Sequence, residues 1–293
     1  DSSPSRGLGD VYKRQGSPQP IFGQGKVAIV NGEIYNYKSL RDSSYNYQTN
    51  GDSEIVLSLH TGRGNASDHA KWISKLDGMF AFALWSENQL ILARDSMGIK
   101  PLMRTIVENS MLFSSEAKAL RAHESYKPAI DDLALRARIA WEYPLDATTL
   151  FEGVHQVRPG TVEVWELIDG KPQLTSSARF EAQFVAPEKE WSDAEGLLES
   201  FTLSVSDRLM SDVPLGIVLS GGLDSSLVCA VAREAAEIAG QPVPACWTVA
   251  ESEDNPDWQA AEIVASSLDL EHHQHTLEPD TFHSKLPDLA WHG

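Results

Sequence analysis

Leu215 to Leu219 (LGIVL) is a short continuous apolar run that breaks into Ser220-Gly221-Gly222-Leu223-Asp224-Ser225-Ser226 before a helical pattern begins. A buried strand, a tight glycine loop and a helix, in that order, constrain the fold more than any other stretch. The helix places Leu227, Val228, Val231 and Ile238 inward. A second strand follows at Ala245 to Val249, then a helix over Asp257 to Leu268 with Ala261, Val264 and Leu268 on one face. A third strand is expected from Glu271 to Leu277. Strand-helix-strand-helix-strand is a βαβαβ unit, hence a parallel sheet with right-handed crossovers. The loop then lies at the carboxyl end of its strand, where open α/β sheets bind ligands. Its glycines let backbone N–H groups approach a phosphate, and the helix N-terminus adds positive partial charge. Ser220, Ser225 and Ser226 can donate hydroxyls. Asp224 does not favour a bare anion, so it implies a cation such as Mg²⁺ between it and the phosphate. The GxxxxGK[ST] pattern is absent, so this is not a Walker loop.

The residues before about 168 read differently. Lys26 to Val30 is a short β-rich run that is expected to end in a turn at Asn31-Gly32. Asp52 is placed to cap a helix through Ile55, Val56 and Leu59. Met79 to Trp85 and Gln89 to Ala93 form a hairpin about Ser86-Glu87-Asn88, and Thr161 to Leu167 alternates like a half-buried strand after the turn Arg158-Pro159-Gly160. Asp131-Asp132 begins a helix. Residues 169–189 are polar and contain proline, which predicts a linker. Ser192 to Glu195 is a capping box before a helix with Leu197, Phe201, Val205 and Leu209 at a spacing of four. Thr281 caps a last helix through Leu286, Leu289 and Ala290. Residues 1–15 lack hydrophobic periodicity, and Asp10 to Gln15 looks like the translation of a sequencing adaptor, so they are set aside as a scar.

The whole sequence has 293 residues and a formal net charge of -18. That charge repels phosphate backbones, so nucleic acid is not expected as a partner. No apolar run reaches the ~18 residues of a membrane span and no signal peptide is visible, so neither a membrane nor export is expected and a cytoplasmic location is. Cys229 and Cys246 lie in apolar stretches without CxxC spacing and read as reduced, buried thiols. His272, His273 and His275 lack the further ligands of a zinc pattern and read as strand residues. Trp141, Trp165, Trp191 and Trp247 are expected in packing roles.

The S-G-G-x-D-S pattern arises by chance roughly a few times in ten thousand chains of this length. It resembles the pyrophosphate-binding loop of the ATP pyrophosphatases. Asn31-Gly32-Glu33-Ile34-Tyr35-Asn36 and Gly51-Asp52-Ser53-Glu54, read beside it, resemble the glutamine amidotransferase half of asparagine synthetase. Lys75 to Ala83 (KLDGMFAFA), Arg94 to Leu102 (RDSMGIKPL), Ser115 to Leu120 (SEAKAL) and Arg158-Pro159-Gly160 extend the likeness in the family's order. It runs from about Gln19 to the C-terminus.

The resemblance implies two domains. Residues 16–168 would be most of an α+β N-terminal-nucleophile glutaminase with αββα layers. Residues 190–293 would be part of an α/β parallel-sheet ATP-pyrophosphatase domain. In the family an N-terminal cysteine attacks the glutamine amide with its own amino group as base. The ammonia passes to a second site, where ATP and Mg²⁺ convert aspartate to β-aspartyl-AMP and ammonia displaces AMP. Carried over, Asn31, Gly32 and Glu33 would hold glutamine and Asp52 would pair with its ammonium. Ser220, Gly221, Gly222, Asp224 and Ser225 would hold pyrophosphate, with Asp224 as metal ligand. Leu219 and Val249 would meet adenosine through backbone groups. A homodimer is the assembly to test. No residue matches the nucleophilic cysteine, the later acidic motif or the catalytic lysine, so no catalytic residue is assigned and the chain is expected to be an inactive piece of an enzyme. Two alternatives stand beside this: a paralogue amidating another carboxylate, and a non-catalytic glutamine- or nucleotide-binding protein.

Overall fold

A computed structural model describes residues 18–180, 194–211 and 213–292. Two compact units divide the chain, residues 1–185 and 186–293.

Among its described residues the first unit contains nine strands: β1 (Ile21–Gly23), β2 (Lys26–Ile34), β3 (Gly78–Ser86), β4 (Gln89–Arg94), β5 (Met103–Val107), β6 (Ser110–Ser114), β7 (His155–Gln156), β8 (Thr161–Ile168) and β9 (Lys171–Arg179). Helices α1 (Tyr37–Leu40), α2 (Ile55–Leu59), α3 (Ala66–Ile73) and α4 (Asp132–Trp141) and a 3₁₀ helix (Ala117–Ala122) lie between them. A six-stranded sheet has the order β1-β2-β3-β4-β8-β9 and a three-stranded sheet the order β6-β5-β7. All these pairs are antiparallel.

Strand alternation builds the layers. On β3, Phe80, Phe82 and Leu84 join Ile55, Val56, Trp72 and Ile73 from α2 and α3. Ala81 and Ala83 point the other way and meet Leu102, Met111 and Phe113 on the side of the small sheet. The outer face of the small sheet is covered by Leu120 of the 3₁₀ helix and by Tyr126. The expected αββα layering is therefore present, with a thin outer layer.

Four local expectations are corrected in this unit. β2 does not turn at Asn31-Gly32 but continues to Ile34, with Gly32 opposite Phe80 of β3. The Asp52 side chain does not cap α2, whose N-cap is Glu54 with no side-chain cap bond. Residues 171–179 are not linker but β9, paired along β8 from Ile168↔Lys171 to Thr161↔Arg179. This strand is polar because only one of its faces is covered, leaving Lys171, Gln173, Thr175, Ser177 and Arg179 exposed. Trp141 is exposed, whereas Trp165 is core. The hairpin at Glu87-Asn88 forms as expected, both residues adopting positive φ. Asp131 caps α4 by accepting the Ala134 N–H. The set-aside residues 1–15, the capping residue Ser192 and Trp191 lie outside the described residues.

The second unit contains α5 (Ala194–Arg208), β10 (Gly216–Val218), α6 (Leu223–Ala239), β11 (Ala245–Ala250), α7 (Pro256–Ser267), β12 (His272–Thr276) and α8 (Pro279–His292). The sheet is parallel in the order β10-β11-β12, as the βαβαβ reading requires. Leu219, Cys229, Cys246, Ala261 and Ala265 form the core between the sheet and helices α6 and α7. The cysteines are free and buried, with sulfurs 3.5 Å apart. The buried face of α6 is Cys229, Val231, Ala232, Ala235 and Ala236, so Leu227 and Ile238, expected inward, are exposed. Leu197 of α5 is likewise exposed, while Phe201, Val205 and Leu209 pack against Val231 and Ala232. α8 starts at Pro279, which places Thr281 inside it rather than at its cap. Trp247 is half-exposed and stacks on His273 at 4.2 Å. Among the described residues no helix is long and apolar enough to cross a membrane, and no group of three or more His, Cys, Asp or Glu side chains could hold a metal ion.

Candidate functional site

In the first unit the predicted residues collect at the end of β2. Gly32 has φ +137°, and a Cβ there would lie 1.9 Å from the Met79 carbonyl oxygen. Gly78 on β3 is its counterpart, since a Cβ there would lie 2.1 Å from the Glu33 carbonyl. The two backbones approach so closely that only glycine fits at either position. Asn31 donates from Nδ2 to Ser115 Oγ at 3.0 Å. Asp52 Oδ2 accepts the Ile34 N–H at 2.7 Å, and Ser53 Oγ donates to Asp52 Oδ1 at 3.2 Å. Asp52 is thus tied to the strand that carries Asn31, Gly32 and Glu33. Burial pushes the Asp52 carboxyl up, while its hydrogen bonds from Ile34 and Ser53 act in the opposite direction. An ammonium group beside it would favour the charged form against that burial, as a cation-accepting carboxylate needs. Glu54 points elsewhere: it is fully buried and accepts the Gln48 and Thr49 N–H groups and the Thr49 hydroxyl.

Arg94 and Asp95 belong to the RDSMGIKPL stretch, to which the sequence assigned no site role. Asp95, 1% exposed, accepts N–H bonds from Phe80, Met97, Ile99 and Lys100. Arg94 donates to the carbonyls of Gly98, Lys100 and Val157 and to the Gln156 side chain. Together they shape the loop after β4. The short Asp-Ser-Met-Gly stretch is the available signal, since Asp followed by Gly marks a side-chain-closed turn.

In the second unit the loop leaves β10 as predicted. Leu219 is buried, donates its N–H to the Trp247 carbonyl at 2.9 Å, and accepts the Thr248 hydroxyl at 2.6 Å. Thr248, missed by the sequence reading, also lies 2.8 Å from His272 Nε2 and so links all three strands. Ser220 Oγ and Ser225 Oγ are 3.1 Å apart across the loop, and the Ser220 N–H donates to Ser225 Oγ at 3.3 Å. Gly221 has φ +75°, and a Cβ there would meet Ala260 and Ala261 at 2.5 Å. Gly222 is the N-cap of α6 and offers no side-chain acceptor, so the first-turn N–H groups have no cap bond. Ser226 Oγ is buried and has no hydrogen-bond partner among the described residues. Uncapped N–H groups beside serine hydroxyls are donors for an oxyanion, and the exposed Asp224 carboxylate suits a hard cation such as Mg²⁺. Val249 stands exposed on the neighbouring strand. Asn31, Gly32, Glu33 and Asp52 thus gather at one place, and Leu219, Ser220, Gly221, Gly222, Asp224 and Ser225 at another.

Residues 10–174 match the family described as "Glutamine amidotransferase domain". The chain belongs to this family. Behind the amidotransferase domain, residues 196–293 match "Asparagine synthase". The glutamine-hydrolysing asparagine synthetase 1 of Bacillus subtilis (strain 168) is 33% identical over 272 residues, covering 90% of this chain and 41% of that protein. Asparagine synthetase B of Escherichia coli (strain K12) is 31% identical over 290 residues, covering 94% and 46%. The amidase chyE of Penicillium rubens is 31% identical over 294 residues, covering 91% and 41%. The chain spans less than half the length of these relatives.

Proposed function

We propose that this chain carries the glutamine-binding and ATP-binding parts of a glutamine-dependent asparagine synthetase, which hydrolyses glutamine to ammonia and amidates aspartate through β-aspartyl-AMP. The single observation that carries the reading is the order of the two matches, amidotransferase then asparagine synthase, each falling on a unit with its own gathered residues. Asp52 would receive the α-ammonium of glutamine, with Asn31, Gly32 and Glu33 along the same strand positioning its amide. In the second unit the Ser220 and Ser225 hydroxyls and the first-turn N–H groups of α6 would hold the pyrophosphate of ATP. Asp224 would hold Mg²⁺, which neutralises phosphate charge when bound. Leu219 and Val249 would offer backbone groups to adenosine. A cytoplasmic location goes with this biosynthetic reading, and among the described residues no helix is long and apolar enough to cross a membrane. Cys229 and Cys246 are the chain's two cysteines; both are buried in the second unit, and burial pushes the Cys229 thiol up to about 12, so neither serves as glutaminase nucleophile.

A second reading, a paralogue that amidates a different carboxylate, is kept beside it because a protein named an amidase rather than an asparagine synthetase matches 91% of this chain at 31% identity. The test is asparagine and AMP release by the protein expressed from its gene, with glutamine or ammonia as nitrogen source. Asp52→Asn should raise the KM for glutamine and spare the ammonia-dependent reaction, while Asp224→Asn should abolish both. AMP formation that ignores aspartate but responds to another acid would transfer the assignment to the second reading. An ATP-binding protein that forms no AMP would overturn both.

A further inference from the structure

An open cleft of about 880 Å³ lies within the first unit, beside β8 and β9. Four arginines line it, Arg94, Arg104, Arg158 and Arg179, against two carboxylates, Asp146 and Glu163. The chain as a whole has the reverse balance, 24 basic to 42 acidic residues. A locally positive cleft on an acidic protein concentrates anions that the rest of the surface repels.

The hydrogen bonds show which guanidinium groups remain available. Arg94 is consumed by its four hydrogen bonds to Gly98, Lys100, Gln156 and Val157. Arg104 gives Nε and Nη2 to Glu163, at 2.6 and 3.0 Å, and lies over Trp165 at 4.9 Å. Arg158 gives Nε and Nη2 to Asp146 in the same side-on manner. Among the described residues each pair leaves the Nη1 end of its arginine unbonded. The side chain of Arg179, exposed on β9, has no hydrogen bond or ion pair among the described residues. The carboxylates thus fix the orientation of two guanidinium groups without using up their donors, and a third is free. Val157, Pro159 and Leu174 supply apolar wall. The volume falls within the ~300–1,000 Å³ of small-molecule sites.

We propose that this cleft binds a small multivalent oxyanion, a molecule bearing two or more carboxylate or phosphate groups, through Arg104, Arg158 and Arg179. Planar guanidinium forks match both groups, which is the recognition these residues are built for. The cleft's lining includes none of the residues gathered around Asp52 and none of the second-unit loop residues, and the proposal does not depend on the reaction assigned above.

The test is calorimetric titration of the intact chain with two probes, citrate and pyrophosphate. The comparison variant is Arg158→Glu/Arg179→Glu. Both side chains are exposed, so the variant should melt with the wild type. Arg179→Gln alone is the fallback, since that side chain has no partner to leave unpaired. Saturable binding in the wild type and at least tenfold weaker binding in the variant is the expected result. For pyrophosphate, which also suits the second-unit loop, the expected result is the loss of one site while the other persists. Citrate alone would assign a polycarboxylate, pyrophosphate alone a phosphate ester or anhydride, and both the shared chemistry. No saturable binding of either probe at millimolar concentration would overturn the proposal, as would binding that charge reversal leaves unchanged.

Discussion

Lowering the pH from 7 to 5 should destabilise the first unit through His60. This side chain is 4% exposed and its ring stacks on His69 with centroids 5.4 Å apart. His60 Nδ1 accepts the Gly62 N–H at 3.3 Å, which places the neutral ring's proton on Nε2, an atom with no partner among the described residues. Charging the ring would cost that hydrogen bond and bury a cation next to Lys26, whose ammonium donates to the carbonyls of Leu57 and His60. Burial first, then Lys26 and His69, lowers His60 from 6.5 to about 4. Above 6.5 the ring is neutral in both the folded and the unfolded chain. As pH falls, the unfolded chain binds the proton first, so stability is lost between 6.5 and 4 and no further below. The full effect is about 3 kcal/mol, of which about 2 kcal/mol falls between pH 7 and pH 5. Urea unfolding of the wild type and His60→Asn at these two pH values measures it. Asparagine retains an acceptor for the Gly62 N–H and does not titrate, so the wild type should lose about 2 kcal/mol more than the variant over this interval. Equal losses in the two proteins would refute the reasoning.

Three further outcomes follow from the geometry. Asp95→Ala removes the acceptor of four backbone N–H groups, and chemical denaturation should show a loss above about 3 kcal/mol. Gly32→Ala should yield insoluble protein because its Cβ would overlap the Met79 carbonyl, whereas Gly25→Ala, with φ +74° and open space around it, should cost only about 1 kcal/mol in the same solubility and melting assays. Burial raises the pKa of both thiols, so a disulfide-exchange reagent at pH 8 should label Cys229 and Cys246 only after denaturant is added, and rapid labelling of native protein would contradict the core described here.

What the sequence made legible followed from strong local patterns. The parallel β10-β11-β12 order came from strands and helices alternating with clear periods, and the loop after Leu219 came from glycines that only a close backbone approach demands. The failures share a cause: local chemistry was outweighed by tertiary partners. Asn31-Gly32 is a turn dipeptide in isolation, yet eight cross-strand partners on β3 carry β2 straight through it. Asp52 had the position of a helix cap, but its carboxylate is captured by the Ile34 N–H of a distant strand. β9 carries too few apolar residues to announce itself, because its neighbour β8 supplies the hydrogen bonds and Phe180 the anchor. The arginines of the cleft had no sequence signal, since residues 104, 158 and 179 come together only once the sheets have formed.

The strand order of the large sheet also has a consequence for how the protein is made. β4 ends at Arg94 and its second neighbour, β8, starts at Thr161, with the whole small sheet and α4 encoded between them. A ribosome adding roughly 5–20 residues each second will have released Ile91, Leu92 and Ala93 seconds before their partner exists. Throughout that interval β4, paired only with β3, presents one open edge of a hydrophobic strand, the kind of surface that chaperones engage. Covering that edge waits on β8 and β9, so the last strands made set when this unit becomes safe from aggregation, and a chain interrupted before β8 is left with four paired strands and an open hydrophobic edge.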